Sequence, residues 1–232
     1  MIANAVDLMR RVRAVLLDFD GPVCSAFAGY PAHEVADHIL DNARQAGLPI
    51  PSEASEQTDP MQVLRHLHQI APQFHIHAER LLRDAEVRSV REAKPGPGAV
   101  DFLEACKETG RPVAVVSNNS PESVTAFLDH HGLSGYITSV HGREKTSPEL
   151  MKPHPYLLKN ALQALSSSTD QCLMVGDSTA DIEAAHTIGI PTAGYANRPG
   201  KAFLFEQLGS EIIIHRMEEL ADMARRGSPY HF

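Results

Sequence analysis

Residues 14–21, AVLLDFDG, place four consecutive apolar residues directly before two aspartates and a glycine. A short continuous apolar run suits a strand that is buried on both faces, as the strands of a parallel sheet are. Asp18 and Asp20 are two residues apart, so in extended backbone both carboxylates point to one side and Phe19 points to the other. This stretch therefore predicts a buried strand that ends in a pair of carboxylates.

Further apolar runs follow along the chain, and helical patterns lie between them. The runs are Val113–Val116, Cys172–Val175, Ile212–Ile214 and, more weakly, Pro191–Ala196. Ser120 and Pro121 favour the start of a helix, as N-cap and first helical residue. Strands that alternate with helices predict βαβ units, and hence an α/β fold with a parallel sheet.

One long stretch breaks this alternation. Residues 22–94 contain no convincing buried strand and instead show three helical segments, at about 31–46, 60–70 and 74–91. Gly/Pro-containing stretches at 21–29 and 94–98 bracket them. The pattern predicts two domains: a parallel α/β core formed by residues 1–21 and 95–232, and a small α-helical domain, residues 22–94, inserted after the first strand.

Polar residues also follow the second and third apolar runs. Ser117 and Asn118 come just before the predicted helix start, where the hydroxyl, the amide side chain and the first backbone N–H groups of the helix could cradle a phosphate. Asp177 and Asp181 follow the third run and are one helical turn apart, so both can face the same space. Each feature alone also fits a plain loop or a helix cap.

Lys152 precedes Pro153, and a proline disfavours helical backbone at the residue before it. We therefore expect Lys152 just before the helix that contains Leu158–Leu165, with its ammonium free to reach a site. An isolated lysine is more often a solvated surface residue. Ligands of open parallel sheets bind beyond the carboxyl ends of the strands, so all these groups could converge there.

In chain order the motifs are DFDG, SN, KP and GDSTAD, and together they resemble those of the haloacid dehalogenase superfamily over roughly residues 14–193. The helical insert resembles the C1 cap of that superfamily. Pro22 departs from it, since many members carry Thr or Val there. The resemblance implies a Rossmann-like parallel core with a helical cap, and Mg²⁺-dependent hydrolysis of a small phosphate monoester, such as a sugar phosphate or phosphoglycolate, through an aspartyl-phosphate.

The resemblance also implies roles for single residues. Asp18 would be the nucleophile and Asp20 the general acid and then the general base. Ser117 and Asn118 would hold phosphoryl oxygens, and Lys152 would neutralise the nucleophile and the transferring phosphoryl group.

A magnesium site is implied at the same place. Asp18, the backbone carbonyl of Asp20 and Asp177 would bind Mg²⁺, and Asp181 would orient the site from behind these ligands. Carboxylate and carbonyl oxygens are the ligands that Mg²⁺ prefers.

The sequence distinguishes only some of the other reactions that this superfamily catalyses. Dehalogenases do not need an acid two residues after the nucleophile, so Asp20 favours phosphate chemistry. Residues 22–93 contain no lysine, which argues against a phosphonoacetaldehyde hydrolase with a Schiff-base lysine in its cap. A phosphosugar mutase would keep all four motifs and stays open. A non-catalytic binding or regulatory module would lack at least one catalytic group, and none is missing.

Composition limits the partners. The chain has 21 Lys and Arg against 29 Asp and Glu, a net charge of −8, which disfavours nucleic acid as the main partner. No apolar run approaches about 18 residues, so no membrane span is expected. Three scattered cysteines predict no disulfide framework. We expect a cytoplasmic protein that acts on a small phosphorylated metabolite.

The arginines of the insert are expected on a charged outer face.

Overall fold

The computed structural model describes residues 2–227, which are built around a six-stranded sheet. The strands are β1 (Ala14–Leu17), β2 (Val113–Val116), β3 (Ser139–His141), β4 (Cys172–Gly176), β5 (Thr192–Tyr195) and β6 (Ile212–Ile214). Their order is β3-β2-β1-β4-β5-β6, and every neighbouring pair is parallel. The predicted parallel α/β fold is confirmed. Since β2 and β4 flank β1, the carboxyl ends of these three strands lie side by side.

Each central strand is buried on both faces, which explains its unbroken apolar sequence. Val15 and Leu17 belong to the apolar cluster on one face of the sheet, whereas Ala14 and Leu16 belong to the cluster on the other. All four residues of β1 are buried. Alternate residues thus serve two different helix layers, and a polar residue within the strand would fall inside one of them.

Two helix layers cover the sheet. The cluster that contains Val15 and Leu17 also draws residues from α1 (Ile2–Arg11), α6 (Ala99–Glu108), α7 (Pro121–His130) and α11 (Met217–Arg226). The cluster on the other face contains residues of α8 (Tyr156–Leu165) and α9 (Thr179–His186), while α10 (Lys201–Leu208) packs against β5 and β6. None of the helices in the described part of the chain has the length and apolar character that a membrane crossing requires.

The chain between β1 and α6 is helical, and its long helices coincide with the three predicted segments. It forms α2 (Ala32–Gln45), α3 (Ser52–Ser55), α4 (Pro60–Ile70) and α5 (His75–Ser89). Apolar residues of α2, α4 and α5 form a hydrophobic cluster of their own. We call residues 22–94 the insert. Its two connections run side by side, because the Gly96 N–H donates to the Val23 carbonyl at 2.7 Å.

Strand β3 has no counterpart among the predicted strands. Its three residues, Ser139, Val140 and His141, are each only partly buried, and the strand lies at the edge of the sheet. An edge strand has one neighbour and needs no continuous apolar run, so the pattern that reveals the central strands is absent here.

Candidate active site

A cavity of about 510 Å³ opens at the carboxyl ends of β1, β2 and β4, between the sheet and the insert. The core residues predicted for the site line it, except for Asp181: Asp18, Asp20, Ser117, Asn118, Lys152 and Asp177. Asp181 is fully buried and contacts Lys152. The strand order brings most of these residues together, because the aspartates, Ser117 and Asn118 follow the adjacent strands β1, β2 and β4. Lys152 comes from the loop before α8 and reaches the end of β2 through its Nζ.

Lys152 is the centre of the hydrogen-bonding network. Its Nζ lies 2.8 Å from Asp18 Oδ1, 2.6 Å from Asp181 Oδ1 and 2.8 Å from the Val116 carbonyl oxygen. Burial alone lowers the pKa of a lysine, but the two carboxylates outweigh it and hold the pKa of Lys152 above its ordinary value. The three acceptors match the three N–H donors of an ammonium group, so Lys152 is a fixed positive charge beside Asp18.

Asp181 is held in place by the start of α9. Its Oδ2 accepts hydrogen bonds from the Ser178 N–H at 3.0 Å and the Ser178 hydroxyl at 2.7 Å, and Ser178 caps the Asp181 N–H in return. This reciprocal capping box fixes the carboxylate without using Oδ1. Asp181 therefore presents that oxygen to Lys152.

Asp18 is nearly buried and uses one oxygen for its contacts. Oδ1 meets Lys152 and accepts the Phe19 N–H at 2.7 Å, whereas Oδ2 has no hydrogen-bond partner among residues 2–227. Burial and the neighbouring Asp181 carboxylate raise the pKa of Asp18, against the opposing effect of Lys152. Oδ2 is therefore the Asp18 oxygen that is free to contact a bound group.

Asp20 shares the cavity with Asp18 but has a different environment. Its Oδ1 accepts the Ala26 N–H at 2.8 Å. Burial raises the pKa of Asp20 to about 6, although that hydrogen bond opposes the shift. A carboxyl group with this pKa is present in both protonation states near neutral pH, as general acid–base catalysis requires.

Ser117 and Asn118 lie at the end of β2, and their side chains are already engaged. The Ser117 hydroxyl donates to Asn119 Oδ1 at 3.0 Å. The Asn118 side chain accepts the Lys152 N–H at 2.8 Å and donates to the Lys152 carbonyl at 3.1 Å. The amide of Asn118 thus fixes the backbone of Lys152, which differs from the expectation of a side chain free for phosphate.

Two residues that sequence reasoning did not identify hold Asp177. Its Oδ2 accepts from Lys201 Nζ at 2.6 Å and from Asn197 Nδ2 at 3.0 Å. Both residues follow β5, beyond the motifs, at spacings that carry no signal in a single sequence. Lys201 gives the site a second positive charge, which is paired with Asp177.

The carboxylates fit a divalent cation. One oxygen each from Asp18, Asp177 and Asp181 lies within 4.8 Å of the others. Such crowding of acidic oxygens is unfavourable unless a positive charge offsets it, and hard oxygen donors suit Mg²⁺. Because Asp181 is bound to Lys152 and Ser178, the structure leaves Asp18 and Asp177 as the better placed side-chain ligands.

Two glycines of the motifs are required because aspartate side chains lie very close to their Cα atoms. Gly21 has φ +104°, a conformation that L side chains rarely adopt, and a Cβ there would overlap the Asp177 carboxylate. A Cβ on Gly176 would overlap the carboxylate of Asp181. The glycines are therefore part of the site, since they make room for two of its acids.

The insert supplies the opposite wall of the cavity, through Phe27, Ala32, residues 58–62 and Arg65. Arg65 does not lie on a charged outer face as expected: its guanidinium donates to the carbonyls of Met151 at 3.3 Å and Lys152 at 2.8 Å. Arg198, which follows β5, also lines the cavity. The cavity lining thus contains three cationic side chains, which suit an anionic ligand, beside four carboxylates, Asp18, Asp20, Asp59 and Asp177.

Comparison with known proteins agrees with this geometry. A family model described as haloacid dehalogenase-like hydrolase matches residues 52–195. The phosphoglycolate phosphatase of Caulobacter vibrioides is 30% identical over 132 residues, which are 55% of this chain and 53% of that protein. The chain thus spans about half the length of that relative.

Two further comparisons cover more of the chain. The pyrophosphatase PpaX of Halalkalibacterium halodurans is 24% identical over 174 residues, 74% of each protein. The crystal structure of a predicted phosphatase from Clostridium acetobutylicum superposes with a TM-score of 0.72 at 18% identity, covering 91% of this chain and 97% of that one. At this identity, the structural likeness establishes the fold.

Proposed function

This chain belongs to the haloacid dehalogenase-like hydrolase family, and on that basis we propose that it is a phosphatase that hydrolyses a small phosphate monoester through an aspartyl-phosphate intermediate. The observation that carries the proposal is the placement of Lys152 between Asp18 and Asp181, with Asp20 beside them in one cavity. A fixed ammonium next to a carboxylate nucleophile suits attack on a negatively charged phosphoryl group.

In the first half-reaction Asp18 Oδ2 attacks the phosphorus atom. A bond forms between Asp18 and phosphorus, and the bond between phosphorus and the leaving oxygen breaks. Asp20, protonated, gives its proton to that oxygen, so an alcohol leaves. Lys152 stabilises the charge on the phosphoryl oxygens. The Asn118 backbone N–H helps to hold these oxygens, and so does the Ser117 hydroxyl, once it turns its hydrogen away from Asn119 Oδ1.

In the second half-reaction water replaces the alcohol. Asp20, now ionised, takes a proton from the water molecule as its oxygen attacks phosphorus. The bond between phosphorus and Asp18 breaks, which releases phosphate and restores the free carboxylate. One residue thus serves as acid and then as base, which its environment permits.

Asp18, the backbone carbonyl of Asp20 and Asp177 would hold Mg²⁺, with Asp181 behind them. Bound there, Mg²⁺ would offset the negative charge of the carboxylates and of the phosphate group. The clustered acidic oxygens support this choice of ligands.

We further propose that residues 1–21 and 95–232 form the catalytic core and that the insert, residues 22–94, acts as a cap that selects the substrate. The separate hydrophobic cluster of the insert and its position over the cavity support this division. A cavity of about 510 Å³ suits a metabolite rather than a folded phosphoprotein. The named relatives act on phosphoglycolate and on pyrophosphate, which are both small.

The test is phosphate release by the purified protein with Mg²⁺ across phosphoglycolate, sugar phosphates, polyol phosphates, nucleotides and pyrophosphate. Asp18→Asn serves as the matched inactive control. We expect release from at least one monoester, with none from the control. Conversion of a sugar phosphate to its isomer without release would instead identify a phosphosugar mutase. No turnover of any compound would refute the proposal.

A further inference from the structure

A glutamate of the insert reaches the loop that follows β2. Glu86 lies on α5, and its side chain is completely buried. Its Oε1 accepts from Asn119 Nδ2 at 3.2 Å, and its Oε2 accepts from the Ser120 N–H at 3.0 Å. We call residues 117–120 the phosphate loop, on the proposed function. The insert therefore contacts this loop through a charged group as well as through packing.

Arg143, which follows β3, completes the arrangement from the core side. Its guanidinium is also completely buried and donates to both oxygens of Glu86, at 2.9 Å and 3.2 Å. The same NH1 group donates to the Asn118 carbonyl at 2.8 Å, and the Arg143 backbone N–H donates to the Asn119 carbonyl at 2.9 Å. The loop is thus bonded on both sides of Asn119.

These contacts extend to the residue proposed to hold phosphate. Asn119 accepts the Ser117 hydroxyl through Oδ1 and donates its backbone N–H to Ser117 Oγ at 3.1 Å. Because Asn119 Nδ2 is bound to Glu86, the amide can turn only Oδ1 towards Ser117. Glu86 is therefore linked through Asn119 to Ser117 Oγ.

Stability alone is a weak explanation for this pair. Replacing a buried ion pair with apolar side chains of similar volume is often neutral or stabilising. Four N–H donors converge on the Glu86 carboxylate, and two of them come from the phosphate loop. We propose that Glu86 and Arg143 are positioning residues that hold the phosphate loop in its binding geometry, an inference that rests on the proposed function.

The insert would then have two roles. Besides covering the cavity, it contributes through α5 to the binding of the phosphoryl group itself. A change at Glu86 should therefore weaken the binding of every phosphorylated ligand, including inorganic phosphate, which is too small to need the rest of the insert.

The test is Glu86→Gln, compared with wild type by calorimetric titration of inorganic phosphate in Mg²⁺ buffer and by steady-state kinetics. Glutamine keeps the shape but offers one acceptor oxygen, so at least one pair of donors loses its partner. Charge-assisted hydrogen bonds of this kind correspond to roughly ten-fold or more in binding. We expect Kd for phosphate and KM to rise about that much, and kcat to change less.

Glu79→Gln is the matched control. Glu79 lies two turns earlier on α5, is also buried and faces Arg143 at 3.6 Å, but within the described part of the chain it makes no hydrogen bond to the phosphate loop. A purely structural role predicts that both variants lower Tm and leave Kd and KM unchanged. A ten-fold change confined to Glu86→Gln supports positioning. Wild-type Kd and KM in a folded Glu86→Gln protein, or equal changes in both variants, would overturn it.

If Glu86→Gln does not fold, the positioning role is tested instead with Arg143→Lys, by the same calorimetric titration of inorganic phosphate. Lysine keeps the charge but loses the two-pronged contact. Weaker phosphate binding supports the proposal, and unchanged binding overturns it. The outcome is separable from the proposed function: a wild type that binds phosphate more tightly than Glu86→Gln, yet hydrolyses nothing, supports positioning and refutes the phosphatase. Variants that stay active and bind phosphate with wild-type affinity would refute the positioning role but not the phosphatase activity.

Discussion

Lys152 and Asp181 form a buried ion pair, with 2.6 Å between Nζ and Oδ1, and this pair aims the ammonium at Asp18. Lys152 lies in the loop before α8 and Asp181 lies in the first turn of α9, so the pair joins two separate parts of the core. Without Asp181, Lys152 would keep only the Val116 carbonyl and Asp18 as partners among the described residues. The lysine would then be free to neutralise Asp18 in other geometries.

Asp181→Asn should therefore reduce activity without removing any group that touches the phosphate. Loss of one partner from a buried ion pair costs about 3–5 kcal/mol, so the free energy of unfolding should also fall. We expect kcat to drop by roughly 100-fold, a size typical of a displaced electrostatic group. Glu183→Gln, an exposed change on the same helix, is the control and should leave both quantities unchanged.

Asp18→Asn should abolish turnover while the fold persists. The change is nearly isosteric, but a neutral amide cannot attack phosphorus as a carboxylate does, so kcat should fall by at least about a thousand-fold. Phosphate release measures turnover and circular dichroism measures folding. More than a few per cent of wild-type activity in the pure variant would show that Asp18 is not the nucleophile.

Activity should require Mg²⁺, and Ca²⁺ should inhibit. Asp18 and Asp177 provide few protein ligands, which suits a small octahedral ion that keeps several waters. Ca²⁺ prefers six to eight oxygens and could bind both oxygens of Asp18, which would occupy the attacking Oδ2. Rates after EDTA treatment, and after adding back each ion, test this. Full activity in EDTA, or equal rates with the two ions, would contradict the magnesium site.

Gly176→Ala should damage the site through packing alone. The new Cβ would overlap the Asp181 carboxylate, which must shift away from Lys152 or displace the start of α9. Overpacking of this kind costs about 1–3 kcal/mol, so Tm should fall along with kcat. Gly135→Ala, where a Cβ meets open space, is the matched control. Wild-type kcat in Gly176→Ala would show that the Asp181 position is not critical.

The sequence predicts the centre of the fold well because buried parallel strands leave an unmistakable pattern. Runs such as Val113–Val116 serve two helix layers at once and must be apolar throughout. The site is predictable for a related reason. Its residues follow adjacent strands, so strand order alone brings Asp18, Ser117 and Asp177 together.

The parts that escape prediction are those set by tertiary packing. Glu86 looks like any acid on an amphipathic helix, and only the approach of α5 to the phosphate loop buries it. Lys201 lies 24 residues after Asp177 and outside all four motifs. Arg65 resembles its solvated neighbours, yet its guanidinium turns inward to two backbone carbonyls. Such contacts depend on how separate elements meet, which the local pattern does not encode.

Substrate choice should depend on the insert while the chemistry depends on the core. Gln62 lies on α4 with an exposed side chain and lines the cavity on the side of the insert. Gln62→Ala should change kcat/KM unevenly, by about ten-fold more for some substrates than for others, because it alters contacts with the leaving group. Lys152→Ala should instead lower kcat/KM for all substrates by similar factors, since every substrate carries the phosphoryl group that it stabilises.

Gln69→Ala is the matched control for this comparison. Gln69 is the same residue type on the same helix, is also exposed and does not line the cavity described above. It should leave the order of substrates and their kcat/KM values unchanged. The measurement is kcat/KM for every compound that the wild type hydrolyses. If Gln62→Ala scales all of them equally, the leaving group does not touch this face of α4, and the core alone discriminates between substrates.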